Sequence, residues 1–374
     1  MNIDASFLKC YPSVNVIGDE YEILFHVRER GLCYVKIKDT LYYEDNSGVL
    51  PSEKTVVKVR VPMAELDLAR EYEIYFRASK DRKAYFSLFG TLLCEHFEFR
   101  PLVKTQDIHV YHIADVHYKF DIALKTASYF GDDVDLFVVN GDIGEVETEE
   151  DFFKVTKFVG EISKGACPVI FVRGNHDTRG HLAEKFTDYF PADGKKTYYT
   201  FSVGALQGVV YDCGEDKPDD GHEYDSTPDT PTEFLGTNRF SGYRQKQLSF
   251  LRSLSFSKER RVTFAIGHIC PNMTTFHKGD QFDIERECYT AWTAELERLG
   301  IDFMLCGHYH RAFLLLEGDE RNIVPHSYPV VVGSECPHDD LIGAAMIIGS
   351  DGMEILYTDS SHNIRERHKI SFVR

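Results

Sequence analysis

From residue 107 onward the chain alternates short apolar segments with helix-like segments, and this rhythm constrains the fold more than any other feature. Apolar strands are predicted at Ile108–Ala114, Asp135–Val139, Pro168–Val172, Arg261–Ile266 and Ile301–Cys306. Helix-like segments lie between them, at Asp121–Phe130, Thr148–Ser163, Gly242–Leu254 and Glu287–Leu299. Such alternation is typical of parallel βαβ units. After residue 311 the strands follow one another without room for helices, which predicts a closing antiparallel layer.

The N-terminal part of the chain has a different pattern. Short segments rich in β-branched and aromatic residues lie at Tyr21–Val27, Leu32–Ile37, Thr55–Val61, Tyr72–Phe76 and Ala84–Phe89, separated by polar turns. This predicts a small all-β domain, an immunoglobulin- or fibronectin-like sandwich, over residues 1–102. Pro101 marks its end, and residues 103–374 form the second domain. We expect the sandwich to shape one wall of a cleft or a dimer contact; a protein- or carbohydrate-binding module is the alternative.

Charge and cysteine content exclude several classes of protein. The 374 residues carry 42 basic and 60 acidic side chains, a net charge of −18, which disfavours a stable nucleic-acid complex or binding to an anionic membrane surface. The nine cysteines contain no CxxC pair and do not indicate a disulfide framework or a thiolate zinc site. No signal-peptide pattern opens the chain, and the longest uncharged apolar stretch, near residues 341–349, is short. We therefore expect a cytoplasmic protein without a membrane span.

Each of the five predicted strands is followed, within three positions, by a residue that can bind a metal. These residues are Asp115, Asp142, Asn175, His268 and His308. In four of the five cases a glycine precedes the residue, and glycine allows both a tight turn and a close approach of the backbone to a ligand. Because sites in open α/β sheets lie beyond the carboxyl ends of the strands, five such ends are expected to converge on one place.

The fragments around these strand ends supply carboxylates, an amide oxygen and imidazoles, without a thiolate. They read Asp115-Val-His117, Gly141-Asp142, Gly174-Asn175-His176-Asp177, His268 and Gly307-His308-Tyr309-His310. These ligands suit Mn, Fe or Zn as divalent ions. Seven ligands are too many for one ion with an open position, whereas two ions that share a bridging carboxylate use them naturally.

In this order, the motifs resemble the signature of the calcineurin-like metallophosphoesterases, which runs Asp-x-His, Gly-Asp, Gly-Asn-His-Asp/Glu, His and Gly-His-x-His. The resemblance covers about residues 107–335. It implies a four-layer α/β/β/α sandwich with a binuclear metal centre. One metal would be bound by Asp115, His117 and His310. The other would be bound by Asn175, His268 and His308, with Asp142 bridging the two ions.

The same resemblance assigns the remaining motif residues. His176 would be the family's non-ligand histidine beside the substrate phosphate, and Asp177 would orient it. The expected activity is hydrolysis of a phosphoric ester, as a phosphatase or phosphodiesterase, with a metal-bridging hydroxide as nucleophile. The expected partner is a phosphorylated small molecule or a phosphodiester, and a homodimer is possible. The alternative is a noncatalytic scaffold with the same fold.

The layout of a β-sandwich before the catalytic domain resembles that of purple acid phosphatases, but the motifs differ. The Asp-x-Gly of that subgroup is Asp115-Val116-His117 here, and the position of its ligand tyrosine is Glu145. This argues against a ferric, purple centre. Arg173 precedes Gly-Asn-His as in serine/threonine protein phosphatases, yet the segment from Gly141 to Glu147 lacks their phosphate-binding arginine. This argues against a phosphoprotein substrate.

Substrate choice is expected to depend on the loop at residues 213–241 and on the segment after His268. The loop is rich in acidic residues and proline and has neither helical nor strand periodicity. It is interpreted either as a solvated surface loop or as a flap over the active site.

Overall fold

The structure is a computed structural model that describes residues 5–44, 46–216, 219, 240–257, 261–273, 286–337 and 339–372. Two mixed sheets form the centre of the molecule, and helices cover their outer faces. Most of the loop at residues 213–241, interpreted above as a surface loop or a flap, lies outside the described residues. The segment after His268 is described only as far as Met273.

The larger sheet has nine strands, numbered here along the chain. From edge to edge they are β19 (Ile364–Ser371), β18 (Gly352–Thr358), β17 (Gly343–Ile348), β8 (Ile108–Ile113), β9 (Leu136–Asn140), β10 (Pro168–Val172), β1 (Ser13–Ile17), β2 (Glu20–His26) and β5 (Val56–Pro62). Strands β8, β9, β10 and β1 are parallel, and the strands outside them are antiparallel. Apart from the half-buried His109, the residues of the parallel strands are buried, as in sheets covered on both faces.

The second sheet has six strands. Their order is β11 (Tyr199–Val203), β12 (Leu206–Val210), β13 (Val262–Ile266), β14 (Phe303–Cys306), β16 (Val330–Val332) and β15 (Phe313–Leu315). Strands β12, β13, β14 and β16 are parallel, whereas β11 and β15 close the two edges in antiparallel fashion. The predicted βαβ units are therefore confirmed. Of the strands after residue 311, β15, β17, β18 and β19 are antiparallel as predicted, whereas β16 pairs in parallel with β14.

Three apolar layers hold the sheets and helices together. Alternate side chains of the parallel strands, such as Val110 and Val138, face the other sheet and meet Phe264 and Leu305 in the central layer. The opposite faces pack against helices α2 (Phe120–Ala127) and α3 (Glu149–Ser163) on one side and α5 (Phe240–Ser253) and α6 (Arg286–Leu299) on the other. A short helix, α4 (Phe186–Tyr189), adds to the first helical layer. This is the expected four-layer α/β/β/α sandwich.

The start of α3 shows how local sequence sets an element boundary beside the site. The Thr148 hydroxyl accepts a hydrogen bond from the Asp151 backbone N–H, and the Asp151 carboxylate accepts one from the Thr148 backbone N–H. This capping box satisfies two donors that a helix start leaves unpaired. It ends the loop that follows β9 and carries Asp142.

The N-terminal strands are divided between two sheets. Strands β1, β2 and β5 belong to the nine-stranded sheet, where Val14 pairs with Pro168 and Asn15 with Val169. A third, four-stranded sheet contains β4 (Thr40–Tyr42), β3 (Gly31–Ile37), β6 (Glu71–Asp81) and β7 (Leu88–Glu98), and a short helix, α1 (Met63–Ala69), precedes β6. The region is all-β apart from α1. The domain boundary at residue 102 stays a prediction, although one sheet runs across it.

One N-terminal strand was predicted in the wrong place. The expected strand Ala84–Phe89 is largely the turn between β6 and β7, and β7 begins only at Leu88 and continues to Glu98. Aromatic residues at the turn (Tyr85 and Phe86) mimic strand composition. Phe86 adopts a left-handed φ of 57°, which no regular strand allows.

Candidate metal centre

The carboxyl ends of five parallel strands from the two sheets meet at one edge of the central sandwich. Loops after β8, β9 and β10 approach from the nine-stranded sheet, and loops after β13 and β14 approach from the six-stranded sheet. Two groups of candidate ligands lie there. We call Asp115, His117 and His310 the outer group, and Asp142, His268 and His308 the inner group. Within each group, one ligand atom per residue lies within 4.8 Å of the others.

The outer group runs from the interior to the surface. Asp115 is buried, His117 is half-buried and His310 is exposed. The His117 and His310 Nε2 atoms lie 3.0 Å apart, and His310 Nε2 is 3.6 Å from Asp115 Oδ1. The Asp115 carboxylate also accepts hydrogen bonds from the His308 backbone N–H at 2.9 and 3.1 Å. Hydrogen bonds from the backbone therefore hold Asp115 in place, while the two imidazoles approach it from the solvent side.

The inner group lies deeper. His268 Nε2 is 3.0 Å from Asp142 Oδ2, and His308 Nδ1 is 3.0 Å from the side-chain oxygen of Asn175. The two groups adjoin each other, because His268 Nε2 is also 3.6 Å from Asp115 Oδ1. All seven residues expected to be ligands thus lie together.

His268 tests whether this site fits a metal ion. Its Nδ1 lies 2.7 Å from the backbone oxygen of Asn140, which can only accept, so Nδ1 carries the proton. The other ring nitrogen, Nε2, is buried and makes no hydrogen bond, although it faces two carboxylates. A buried imidazole nitrogen oriented by a backbone carbonyl is the usual arrangement of a metal-binding histidine. The residues present therefore fit a divalent cation.

The charges in the site point the same way. Burial would lower the pKa of His268, but the Asp142 and Asp115 carboxylates outweigh it and raise this pKa to about 10. Burial raises the pKa of Asp115 to about 7 and lowers that of His117 to about 4. Without a metal, His268 therefore holds a proton between the two carboxylates, where a cation would otherwise balance their charge, and binding of a metal to the neutral imidazole would release this proton.

Asn175 is oriented by residues that the sequence analysis missed. Its side-chain N–H donates to Asp216 Oδ2 at 3.1 Å, which turns its oxygen toward the inner group. Asp216 is held in turn by Arg179, whose guanidinium donates to Asp216 at 2.6 Å and to Glu215 at 2.7 Å. Glu215 and Asp216 are buried, although they begin the acidic run that was interpreted as a loop. Arg179 lies 36 and 37 positions away along the chain, so the sequence carries no local signal for this pairing.

Two glycines allow the loops to pack this closely. A Cβ atom at Gly174 would lie 2.0 Å from Asp142 Oδ1, and one at Gly141 would lie 2.6 Å from His268 Nδ1. Close approach, inferred from the glycine pattern, is thus present at both positions. The ligands themselves carry strain, since five non-glycine residues have φ between 43° and 74°: Asp115, His117, Asp142, His308 and His310. Such angles cost about 1–3 kcal/mol each and cluster at functional sites.

His176 lies at the exposed rim of the candidate metal centre. Asp177 lies beneath the loop after β10, which carries both residues. The His176 side chain is 40% exposed, and its Nε2 is 3.9 Å from Asp142 Oδ2. The Asp177 carboxylate accepts hydrogen bonds from the backbone N–H groups of Gly174 at 2.7 Å and Asp142 at 3.2 Å. Its described hydrogen bonds thus reach the loop backbone, and its contribution to His176 is to hold the loop that carries it.

Fold and site together define a class, the α/β/β/α sandwiches with adjoining histidine and carboxylate groups at one edge. The profile of the family described as calcineurin-like phosphoesterase matches residues 108–312, more than half of the chain. The chain therefore belongs to the calcineurin-like phosphoesterase family. No curated protein matches it at the level of sequence.

Two solved structures share the fold over nearly the whole chain. The purple acid phosphatase PPD1 from yellow lupin (Lupinus luteus) seeds superposes with a TM-score of 0.61 at 11% identity, covering 98% of this chain and 74% of that one. A structure of PhoD superposes with a TM-score of 0.56 at 10% identity, covering 98% of this chain and 90% of that one. The shared fold includes the N-terminal strands. None of the described helices has the length and apolar character needed to cross a bilayer.

Proposed function

We propose that the chain is a metal-dependent phosphoric-ester hydrolase with two divalent cations (Mn, Fe or Zn). The observation that carries this proposal is the adjacency of the outer and inner groups around one hydrogen-bond-free buried nitrogen, His268 Nε2. The donor set of carboxylates, imidazoles and an amide oxygen suits such ions. The family membership given above supports the same reaction class.

The distances support a specific division of the ligands. Asp115, His117 and His310 would hold one cation at the open side. Asn175, His268 and His308 would hold the other, and Asp142 would lie between the two. Asp142 suits the bridging position because its buried carboxylate lies 3.0 Å from His268 Nε2, an atom that is also 3.6 Å from Asp115 of the outer group.

Bound at these positions, two divalent cations neutralise phosphate oxygens and lower the pKa of water enough to supply hydroxide near neutral pH. The chain's own contribution is orientation. Asn140 sets the proton of His268 on Nδ1, and Asp216 sets the oxygen of Asn175 toward the site. His176, exposed at the rim, would donate a proton to the leaving oxygen of the ester.

The substrate is proposed to be a small phosphorylated molecule, either a monoester or a diester. A chain with a net charge of −18 repels phosphate in general, so the local field of the cations has to make the rim attractive to an anion. A diester carries a second substituent on phosphorus, so it can be a substrate only if the rim of the site has room for that substituent.

The test uses protein stripped by a chelator and re-supplied separately with Mn²⁺, Zn²⁺ and Fe²⁺. Hydrolysis of p-nitrophenyl phosphate is compared with hydrolysis of bis-p-nitrophenyl phosphate. We expect turnover only after a metal is restored, and the preferred ester identifies the substrate class. Folded protein that binds metal and hydrolyses neither ester would favour the noncatalytic scaffold.

A further inference from the structure

The exposed edges of the three sheets differ in how they are protected against pairing with another strand. The outermost strand of the nine-stranded sheet, β19, carries Arg365, Glu366, Arg367 and Lys369, a charged edge. At the opposite edge of the same sheet, β5 is covered, because Lys58 donates to the backbone oxygens of Thr187 and Phe190. Strands β4 and β15 have three residues each, and β11 exchanges hydrogen bonds with Gly18. These are the usual protections of an edge.

Within the described structure, the first seven residues of β7 lack these protections, and its charged residues, Glu95 and Glu98, lie only toward the C-terminal end. The strand has eleven residues, pairs only with β6 and presents an uncharged stretch from Leu88 to Cys94. The large apolar side chains along this edge and at the adjoining turn are exposed by 46% to 97%: Tyr85, Phe86, Leu88, Leu92 and Leu93. A long apolar edge of this kind is a template for strand pairing.

The size of this surface matches what a dimer needs. At about 150–250 Å² per aromatic side chain, Tyr85 and Phe86 present roughly 350 Å² to solvent, and the three partly exposed leucines add to this. A standard stable interface buries about 800 Å² on each partner. Pairing of the strand backbone would add the remainder.

The charges at the two ends of β7 favour a second copy of the same chain. Arg82 and Lys83 flank the N-terminal end of the strand, and Glu95 and Glu98 lie toward its C-terminal end. In an antiparallel pair related by a two-fold axis, the basic end of one strand faces the acidic end of the other. The uncharged centre then meets itself. Elsewhere, two copies with a net charge of −18 repel each other.

We infer that two copies of the chain associate through antiparallel pairing of β7 with β7. The two four-stranded sheets become one continuous eight-stranded sheet, with the two-fold axis near Thr91, the centre of the uncharged stretch Leu88–Cys94. This interface lies on the N-terminal sheet, and its formation does not depend on the proposed hydrolase activity.

The first test is the oligomeric state by sedimentation velocity between about 1 and 100 μM. We expect a dimer for the natural chain and a monomer for Leu88→Lys/Leu92→Lys, with a dissociation constant raised by at least about 100-fold. Leu68→Lys is the matched control, since this leucine on α1 is 75% exposed away from β7. A monomeric natural chain at about 100 μM, or an edge variant as dimeric as the control, overturns the inference.

A charge exchange gives a second test that misfolding cannot imitate. Glu95→Lys/Glu98→Lys should weaken the dimer about 10-fold, and adding Arg82→Glu/Lys83→Glu on the same chain should restore it. Restoration is expected only if the two ends of β7 face each other in a pair of identical strands. A dimer equally strong in all three proteins contradicts the antiparallel arrangement.

Discussion

The outer and inner groups contain the same kinds of side chain in different surroundings. In the inner group, His268 is buried, its Nδ1 is bound to a backbone oxygen, and Asn175 beside it is oriented by Asp216. In the outer group, His117 is half-buried and His310 is exposed, and only Asp115 is held by backbone. The inner group is therefore preorganised, while the outer group depends on what binds there to bring its imidazoles into one geometry.

This difference predicts different roles for the two halves of the site. A preorganised, buried position binds its ion tightly and exchanges it slowly, whereas an exposed position can exchange its ion or open toward substrate. Variants in each group test this difference, and a variant of Asp142 tests its proposed bridging role.

The largest effect is expected for Asp142→Asn, because Asp142 belongs to the inner group and is proposed to bridge the two cations. Loss of one carboxylate charge from the proposed bridge should lower turnover at least about 1,000-fold while the fold survives. The control is Asp132→Asn, an exposed aspartate at the end of the turn before β9. Near-normal turnover and metal content in Asp142→Asn would be incompatible with the binuclear assignment.

The next comparison sets His268→Ala against His310→Ala. Both should retain about one metal per chain, measured by elemental analysis, since each variant removes a ligand from one group. Only His268→Ala should also lower the free energy of unfolding of the chelated protein, by about 3 kcal/mol, because it leaves buried carboxylates without their partner. His310 is exposed, so its removal should change stability by less than about 0.5 kcal/mol. Equal losses of stability would remove the distinction between the groups.

A smaller effect is expected for Asp216→Asn, which acts through Asn175. An amide at this position can turn its N–H toward Asn175 and no longer fixes the Asn175 oxygen, and it weakens the pair with Arg179. We expect about 10- to 100-fold weaker binding of one metal, measured by titration of the stripped protein. If metal affinity equals that of the Asp132→Asn control, Asp216 does not orient the ligand.

The smallest effect is expected for His26, a buried histidine that lies away from the candidate metal centre. Burial, with Lys9 nearby, lowers the pKa of His26 to about 3, while an unfolded histidine titrates near 6.5. The unfolded chain therefore binds the additional proton first, and stability falls as the pH drops below about 6.5. Between pH 7.5 and 5.5, His26 should cost about 1.4 kcal/mol of unfolding free energy.

The measurement for His26 is urea unfolding of chelated protein at the two pH values, compared with His26→Gln. The variant loses the contact of His26 with the Thr156 hydroxyl at both pH values, so only the pH-dependent difference reports the titration. An identical pH dependence in the two proteins would show that His26 does not titrate in this way.

Much of the fold was predictable because its signals are local. The buried strands β8, β9 and β10 stand out as apolar runs, and α3 is announced by its capping box at Thr148 and Asp151. The sheet that each N-terminal strand joins was not predictable in this way. Strand β1 resembles any other apolar strand, and only pairing with β10, some 150 residues away, places it inside the nine-stranded sheet.

By itself, the sequence determined which chemical groups are available and that each follows a strand, because side-chain chemistry and strand periodicity are written in neighbouring residues. The tertiary structure alone decided which groups meet. His117 and His310 are 193 positions apart and touch only because two sheets pack face to face. It also decided that Asp216 orients Asn175 and that the ligands adopt left-handed backbone angles. Those features arise from packing between distant segments, for which a single sequence carries no local signal.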